Sequence, residues 1–354
     1  MNPLGELLKA RIEREGPISL HDYMEMAVSH PEHGYYARQN PFGAEGDFIT
    51  APEASQMFGE LIGLWAVDVW VKLGQPGKFY ILELGPGNGT LMGDALRSAR
   101  LVPEFLAAAE IHLIETSARL KERQAETLDD HDIHWHDELP DLVGAPIILI
   151  ANEFFDALPI HQYSYQSGTW VERMITLRDG KFAYQLADTP VAITSAPSAD
   201  DNDILELCLA GDRLIEQISK LIFREGGAAL IIDYGATETI LGDSFQAMKR
   251  HEYADPLASP GEADLTTHVR FSNLREIALS CGITVQGPIP QGRFLERLGI
   301  EARHHQLKKN AGEVQRKNLD TQLRRLISSS EMGTLFKVMA LSHNTSAATE
   351  GFGS

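Results

Sequence analysis

The stretch that most constrains the fold is an apolar run, Phe79 to Leu84, which leads into three alternating glycines, Gly85, Gly87 and Gly89. The run has the length and composition of a buried strand, and a helical pattern follows from Leu91 to Arg100. Glycines between a strand and a helix let the chain turn tightly and present backbone N–H groups at the helix N-terminus to a ligand. The sequence therefore predicts a doubly wound nucleotide-binding domain that opens with this strand.

The spacing of the glycines distinguishes two kinds of nucleotide-binding loop. A dinucleotide-binding loop has glycines at its first, third and sixth positions, whereas this loop has them at the first, third and fifth. An acidic residue, Glu83, also stands inside the strand end, two residues before the first glycine. This combination resembles the S-adenosylmethionine (SAM) loop of class I methyltransferases, and it disfavours a nicotinamide oxidoreductase. Another nucleotide ligand and a purely structural turn both stay open on this motif alone.

The charge of the chain bears on its partners. The 354 residues include 50 Asp and Glu against 31 Lys and Arg, a formal net charge of −19. Such a surface repels phosphate backbones, so no nucleic-acid partner is expected. A basic or arginine-bearing partner would be attracted, although acidity that serves only solubility explains the charge equally well.

Targeting signals and cysteine usage bear on the compartment. No apolar run approaches the ~18 residues of a membrane span, and the first residues show neither a signal-peptide nor a transit-peptide pattern. The two cysteines, Cys208 and Cys281, lie far apart and indicate a reducing compartment without a disulfide framework. We therefore expect a bacterial cytoplasmic protein.

The periodicity of apolar residues divides the chain into regions. Residues 1–75 indicate an N-terminal helical region with a lid-like loop at 37–52. Residues 76–341 indicate the nucleotide-binding domain, whose repeated strand–helix–strand pattern implies a parallel sheet with right-handed crossovers. Period-two segments at 160–187, separated by Ser-Gly and Asp-Gly turns, predict an antiparallel meander. With an exposed loop that follows, it is expected to form an insertion at about 160–203 over the carboxyl ends of the strands. The polar, glycine-bearing residues 342–354 predict a disordered tail.

Five further segments have explicit predictions. The helix from Leu20 to Ser29 is expected to be capped by Ser19. Residues 236–263 are expected to form a long loop. Single helices are predicted from about Pro52 to Leu73, from Ile204 to Phe223 and from Gln306 to Ile327.

Acids that follow successive parallel strands are expected to meet at one edge of the sheet. Glu115 follows the second strand, where it could accept both hydroxyls of an adenosine ribose or cap the helix from Ser117. Asp137 follows the third strand, where it could accept from an adenine amino group or belong to a solvated turn. Glu83 could orient the methionine ammonium or hold the loop. Together with the three glycines, these acids are the candidate cofactor-binding residues.

The candidate catalytic residues, Asn152, Glu153 and Asp156, follow the fourth strand. Methyltransferases with nitrogen acceptors commonly place the transferring group at this position. An arginine guanidinium keeps its proton near neutral pH, and carboxylates can pair with it bidentately, align its nitrogen and take the proton as methylation proceeds. Phe154 and Phe155 could wall the cation or pack in the core. The 13 histidines lack metal-ligand spacing, so no metal site is expected.

Blocks distributed along nearly the whole chain resemble the MidA family, whose mitochondrial members are complex I assembly protein arginine methyltransferases. The most specific blocks are Gly-Asp-Phe-Ile-Thr at 46–50 and Asn-Glu-Phe-Phe-Asp-Ala-Leu-Pro at 152–159. This chain has Asn88 where the glycine loop of the family often carries Arg. The matching residues are 34–36, 46–53, 58–60, 83–90, 151–159, 233–235, 264–266 with 268–269, and 332–337.

The resemblance implies an α/β fold, a Rossmann-like class I methyltransferase sheet with an N-terminal helical region and an inserted antiparallel segment on the substrate side. It also implies SAM as the cofactor and a protein substrate that presents an arginine, on a respiratory complex I subunit or a similar protein. Two alternatives stay open. One is a noncatalytic SAM-binding assembly factor, and the other is a methyltransferase for a small non-protein acceptor.

Overall fold

A computed structural model describes residues 2–38, 50–194, 196–238, 240–249, 252–345 and 349–353. Most of the predicted lid-like loop at 37–52 lies outside these ranges. The chain forms two compact units. The first unit comprises Met1–Phe48, Asp156–Arg213 and Glu238–Arg270, and the second comprises Ile49–Phe155, Leu214–Thr237 and Phe271–Ser354.

The helices, in chain order, are α1 (Pro3–Glu15), α2 (Leu20–Ser29), α3 (Tyr35–Arg38), α4 (Ala51–Ala54), α5 (Gln56–Lys72), α6 (Thr90–Ala99), α7 (Pro103–Ala108), α8 (Ala118–Thr127), α9 (Leu209–Glu225), α10 (Phe271–Ser280), α11 (Gln291–Arg297), α12 (Ile300–Lys309), α13 (Glu313–Ile327) and α14 (Met332–Leu335). The strands are β1 (Ile18–Ser19), β2 (Phe79–Leu84), β3 (Ala109–Ile114), β4 (Ile133–His136), β5 (Ile147–Asn152), β6 (His161–Gln166), β7 (Thr169–Arg178), β8 (Lys181–Val191), β9 (Ile204–Leu207), β10 (Gly227–Ala236), β11 (Gln246–Lys249), β12 (Glu252–Ala254), β13 (Asp264–Thr266), β14 (Val269–Arg270), β15 (Thr284–Pro290) and β16 (Phe336–His343). Among the described residues, no helix is both long and apolar enough to cross a membrane.

The sheet of the second unit has the strand order β4-β3-β2-β5-β10-β16-β15. The strands from β4 to β10 pair in parallel, and β16 pairs antiparallel with both of its neighbours. In this unit the chain therefore starts in the middle of the sheet at β2, moves outward to β4, and returns to β5 on the other side. This confirms the predicted doubly wound fold, whose strand order reverses between β2 and β5.

Helices pack closely on this sheet, which explains why β2 and β5 are buried along their whole length. The aromatic residues Trp65 and Trp70 of α5 belong to the core with Phe79 and Phe105. Glycine allows α5 to approach α6 closely, because a Cβ atom at Gly63 would lie 2.4 Å from a backbone oxygen of α6.

The first unit contains the predicted antiparallel meander. Its larger sheet has the order β1-β7-β6-β9, with β8 paired to the free edge of β7. The hairpin residues Ser167, Gly168, Asp179 and Gly180 all have positive φ, as the type I′ turn of a two-residue hairpin requires. Ser19 caps α2 through a 3.0 Å hydrogen bond from the Asp22 N–H, which confirms the predicted cap.

The structure corrects several element predictions. The helix predicted from Pro52 is two helices, α4 and α5, because Ser55 between them is extended and its hydroxyl caps α5. The segment predicted as one helix from Ile204 starts instead with strand β9, which pairs with β6 at the edge of the sheet. Helix α9 begins after this strand. The helix predicted from Gln306 is interrupted between α12 and α13, where Gly312 is extended. The predicted loop at 236–263 contains strands β11 and β12, which form a small sheet with β13.

The described part of the C-terminal tail is ordered by contacts, in contrast to the disorder predicted from residue 342. Strand β16 continues to His343. Phe352 is only 7% exposed, its ring lies 5.2 Å from that of Phe294, and its carbonyl accepts a hydrogen bond from Arg297. The tail is otherwise polar, so its composition did not indicate that one aromatic residue anchors it.

Candidate active site

The glycine loop connects β2 to α6 at the point where the strand order reverses. Gly85, Gly87 and Gly89 have φ values of 58°, 55° and 79°, a left-handed conformation that residues with a Cβ atom rarely adopt. A Cβ atom at Gly85 would also lie 2.7 Å from the Phe154 ring. No side chain caps α6 at Gly89. The loop thus leads into the N-terminus of a helix whose N-cap residue has no side chain, and backbone N–H groups at such a position suit an anionic or hydrogen-bonding ligand.

Glu83 lies at the end of β2, beneath this loop. Its side chain is 3% exposed, and its Oε2 atom has no hydrogen-bond partner among the described residues. Burial raises the pKa of Glu83 to about 8, and the backbone N–H of Met92 partly opposes this by bonding to the carboxylate. A buried acceptor without a partner is costly, so Glu83 is well suited to receive a cation or a donor from a ligand.

The raised pKa of Glu83 predicts a pH-dependent stability. The pKa rises from 4.5 to about 8 on folding, so the folded state binds more protons in that range and its stability falls as pH rises. Replacing Glu83 by Gln removes this loss. We expect the stability of Glu83→Gln relative to wild type to increase with pH, by at most about 1.4 kcal/mol per pH unit.

Urea unfolding of the cofactor-free protein at several pH values across this range measures the difference. Glu126→Gln is the matched control, because the control side chain is exposed on α8. A free-energy difference for Glu83→Gln that stays constant with pH would contradict the burial argument.

Glu115 follows β3, and its carboxylate is already engaged on both oxygens. Oε1 accepts the Ser117 N–H at 2.8 Å, and Oε2 accepts the side-chain amide of Gln124 at 3.2 Å. Burial raises the pKa of Glu115, and these hydrogen bonds oppose that shift. The contact between Glu115 and the start of the helix at Ser117, which is the alternative role for this residue, is therefore present. Each carboxylate oxygen has a second lone pair, so the predicted ribose contact stays a prediction.

Gln124 was not identified from the sequence. It is fully buried on α8 and donates to the Gly87 carbonyl at 2.9 Å as well as to Glu115. Its carbonyl oxygen accepts the Trp135 indole N–H at 2.9 Å. The sequence does contain a signal, because Leu120, Gln124 and Leu128 are spaced by four residues and share the buried helix face.

Asp137 lies apart from these buried groups. Its side chain is 76% exposed and pairs with Lys121 at 2.7 Å, and this hydrogen-bonded ion pair lowers the pKa of Asp137. The structure therefore shows the solvated arrangement that was the alternative for this residue. Its contact with an adenine amino group stays a prediction.

Asn152 and Glu153 stand at the carboxyl end of β5. Because Leu84 pairs with Ala151, these two residues follow at the same edge of the sheet as the glycine loop. Glu153 has a φ of 51°, and its Oε1 atom accepts the Ala51 N–H at 3.0 Å and the Asn152 side-chain amide at 3.2 Å. A non-glycine residue in this conformation is strained and typical of functional sites.

Asp233, on the neighbouring strand β10, holds the turn after Glu153 in place. One oxygen of its fully buried carboxylate accepts the backbone N–H groups of Phe154 and Phe155 at 3.2 and 3.0 Å, and the other accepts that of Tyr234. The Asp-Tyr-Gly block was noted in the sequence only as a match to the family. An acid that directly follows the apolar run from Ala228 to Ile232 is the signal that could have assigned it this role.

The short helix α4 connects the two parts of the site. Its Glu53 carboxylate accepts the Asn88 side-chain amide at 3.1 Å and the Thr90 hydroxyl at 2.7 Å, both from the glycine loop and the start of α6. Two residues earlier, the Ala51 N–H reaches Glu153. The sequence places Glu53 in a block typical of the family, but its partners lie 35 or more residues away and could not be inferred from spacing.

Asp156, the third candidate catalytic residue, belongs to the first unit, whereas Asn152 and Glu153 belong to the second. It is 5% exposed, and its backbone carbonyl accepts the Thr267 N–H at 3.0 Å. Its catalytic role stays a prediction.

One group of side chains in the first unit has metal-ligating chemistry. The ligand atoms of His21, Asp22 and Glu25 on α2 lie within 4.8 Å of one another. Asp22 already pairs with Arg11 at 3.4 Å and accepts the Ser19 hydroxyl. A guanidinium this close repels a second cation, and we assign this group no metal role.

Comparison with known proteins establishes the family. A family model described as "Putative S-adenosyl-L-methionine-dependent methyltransferase" matches residues 61–289. The mitochondrial protein arginine methyltransferase NDUFAF7 homolog of Drosophila melanogaster is 36% identical, over 96% of this chain and 84% of that protein. The chain belongs to this methyltransferase family. Human protein arginine methyltransferase NDUFAF7 is 34% identical, over 96% of this chain and 83% of its own length.

A solved structure supports the same assignment for this methyltransferase. A Burkholderia thailandensis protein with S-adenosyl-homocysteine bound aligns with a TM-score of 0.87 and 28% identity, covering 99% of this chain and 94% of that one. The protein is therefore a SAM-dependent methyltransferase with SAM as its cofactor, as the glycine loop indicated.

The residues of this methyltransferase fit the cofactor. Among the described residues, three buried acceptor oxygens around the strand-order reversal have no hydrogen-bond partner, on Glu83, Asn88 and Asn152. SAM carries an ammonium and a positively charged sulfur, and acceptors of this kind suit both. The three glycines give a turn without side chains between β2 and α6, and Glu115 directly follows the next strand, β3.

Proposed function

We propose that this methyltransferase methylates a guanidinium nitrogen of an arginine in a protein substrate. The observation that carries the proposal is the geometry of Glu153, whose backbone is strained and whose carboxylate lies at the carboxyl end of β5, at the same edge of the sheet as the glycine loop. The relatives support it, because the Drosophila and human proteins are named protein arginine methyltransferases and are similar over nearly all of this chain.

Residues of this chain bind, align and deprotonate the acceptor nitrogen. When bound, SAM supplies an electrophilic methyl group. Glu153 pairs with the guanidinium, holds its reacting nitrogen in line with that methyl group, and takes the proton that the nitrogen loses on methylation. A guanidinium is not deprotonated beforehand near neutral pH, so a base at the reacting nitrogen has to act during the transfer.

Neighbouring residues position Glu153. The Ala51 N–H and the Asn152 amide fix one carboxylate oxygen, and Asp233 fixes the backbone of the two residues that follow Glu153. The Phe154 ring lies against Gly85, where it can wall the cation. The unpartnered Asn152 carbonyl oxygen is available to a guanidinium N–H.

We assign the cofactor to residues at the carboxyl ends of β2, β3 and β4, at the same edge of the sheet. Glu115 accepts the ribose hydroxyls, Glu83 faces the methionine ammonium, and the backbone of Gly85, Gly87 and Gly89 cradles the ligand. Asp137 remains the candidate for the adenine amino group, and Asp156 remains a second candidate carboxylate for the guanidinium.

The finer proposal is that the substrate is a subunit of respiratory complex I, as the resemblance to the MidA family implies. The test uses complex I isolated from cells that lack this gene, incubated with the purified enzyme and SAM labelled in its methyl group. Mass spectrometry then locates the label. Methylarginine in a complex I subunit supports the proposal, and label on lysine alone contradicts it.

Two other results of this experiment would favour the alternatives. Label recovered only in the small-molecule fraction would indicate a small non-protein acceptor. Tight SAM binding without transfer to protein or small molecules would indicate a noncatalytic assembly factor. In either case the arginine proposal fails while the cofactor assignment stands.

A further inference from the structure

Gln124 is a fully buried polar side chain whose three hydrogen bonds connect separate parts of the cofactor site. Its Nε2 atom donates to the Gly87 carbonyl at 2.9 Å and to the Glu115 carboxylate at 3.2 Å. Its Oε1 atom accepts the Trp135 indole N–H at 2.9 Å. Burial of an amide is tolerated only when its donors and acceptor are satisfied, and here all three contacts are to fixed groups.

The chemistry of the partners fixes the orientation of the amide. The indole of Trp135 can only donate, so it must face the carbonyl oxygen of Gln124. A backbone carbonyl and a carboxylate can only accept, so both must face the NH₂ group. If the amide were flipped, its NH₂ group would face the Trp135 N–H, and its oxygen would face the Gly87 carbonyl and the Glu115 carboxylate. The side chain is therefore locked in one orientation.

Each partner of Gln124 belongs to an element that carries, or is followed by, a candidate cofactor-binding residue. Gly87 is the central glycine of the loop, in a left-handed conformation that its carbonyl contact helps to hold. Glu115 is the carboxylate at the end of β3, and Trp135 lies on the neighbouring strand β4. Through α8, one side chain thus ties the loop after β2 to the ends of the next two strands.

We propose that Gln124 is a positioning residue for SAM, which sets the distance between the glycine loop and the Glu115 carboxylate before the cofactor arrives. This inference rests on the proposed contact of Glu115 with the ribose. A positioned site binds more tightly because it does not have to be ordered at the moment of binding. Gln124 acts through Gly87 and Glu115, without needing to touch the ligand.

The first test compares three variants by calorimetric titration with S-adenosylhomocysteine. Gln124→Leu removes all three hydrogen bonds. Gln124→Glu keeps an acceptor for Trp135 but loses the donors and places a second carboxyl group beside Glu115. Gln291→Leu is the matched control, because Gln291 is equally buried in the second unit and donates to the Leu326 carbonyl on α13 instead.

We expect both Gln124 variants to weaken binding by at least about tenfold, as the loss of hydrogen bonds to a carbonyl and a charged group implies. Gln291→Leu loses one buried hydrogen bond and should keep the affinity of wild type. Urea unfolding should show that both Leu variants are folded under the conditions of the titration. A dissociation constant for Gln124→Leu within about twofold of wild type would overturn the proposal. Equal weakening by Gln291→Leu would also overturn it, because the effect would then be general destabilisation.

The pH dependence of binding distinguishes a positioning role from a merely structural one, because a structural role would leave it unchanged. The amide of Gln124 opposes the effect of burial on the pKa of Glu115, so its removal should raise that pKa further. Affinity for S-adenosylhomocysteine should then begin to fall at a higher pH in Gln124→Leu than in wild type as the solution is acidified. Coincident pH profiles would contradict the link to Glu115.

The indole resonance of Trp135 provides a spectroscopic check. Its ¹H–¹⁵N signal, assigned by its loss in Trp135→Phe, should shift when S-adenosylhomocysteine binds to wild type. An unchanged signal in the presence of saturating ligand would count against a network that reaches the cofactor. None of these measurements involves a methyl acceptor, so their outcome is independent of whether the substrate is an arginine.

Discussion

Glu153→Gln is expected to abolish methyl transfer while leaving the affinity for S-adenosylhomocysteine close to that of wild type. Glutamine has the same shape as glutamate, and its oxygen can still accept the Ala51 N–H and the Asn152 amide that fix the side chain. It cannot carry the negative charge that pairs with a guanidinium, and it cannot take a proton. Loss of a positioned base typically costs about 10²- to 10⁴-fold in rate.

Single-turnover measurement with labelled SAM separates this effect from substrate binding. The matched control is Glu126→Gln, which removes the same charge from an exposed position on α8. Glu153→Asp adds a second comparison, because it keeps the carboxylate but shortens its reach. Transfer by Glu153→Gln within about tenfold of wild type would rule out the proposed role.

The scaffold of this site was predictable because its signals are local. The strand β2 begins at Phe79 and ends at Leu84, as the apolar run indicated. Successive apolar runs and short helical segments gave the parallel sheet, and the alternation of residues between two turns gave the meander of β6, β7 and β8. The acid at each strand end also followed from this order, since parallel strands all end at one edge.

The connections inside the site were not predictable, because they depend on pairs far apart in sequence. Glu53 reaches the glycine loop, Asp233 reaches the turn after β5, and Gln124 reaches both the loop and Glu115. Asp233 and Gln124 are fully buried and Glu53 is half-buried. In each case the packing of two elements determines the partner. Sequence spacing reveals the face of a helix on which such a residue lies, but not the group that it meets.

The same limit explains the errors in helix boundaries. The apolar pattern from Pro52 to Leu73 continues across Ser55, although the backbone is extended there and begins a new helix. The break matters to the site, because it leaves α4 as a separate turn whose Ala51 N–H and Glu53 carboxylate face two different strand ends.

Gly87→Val is expected to abolish cofactor binding, with a loss of affinity of about a hundredfold or more. Gly87 has a φ of 55°, and a β-branched residue is a severe outlier in that conformation. Relief of the strain would rotate the peptide whose carbonyl accepts the Gln124 amide. The loop would then lose both its turn and its link to Glu115. Calorimetric titration with SAM and with S-adenosylhomocysteine measures the loss.

Two further variants show whether the conformation of Gly87 is the cause. Gly74→Val places the same side chain at a φ of 87°, in the turn before β2, where a Cβ atom would meet nothing within 4 Å. It should cost stability and leave affinity unchanged. Gly87→Asn tests the conformation itself, because asparagine tolerates left-handed backbone better than valine does. If strain in the loop governs binding, Gly87→Asn should retain more affinity than Gly87→Val. Equal loss in both would instead indicate that any side chain at this position occupies the space of the ligand, and wild-type affinity in Gly87→Val would contradict the assignment of this loop to SAM.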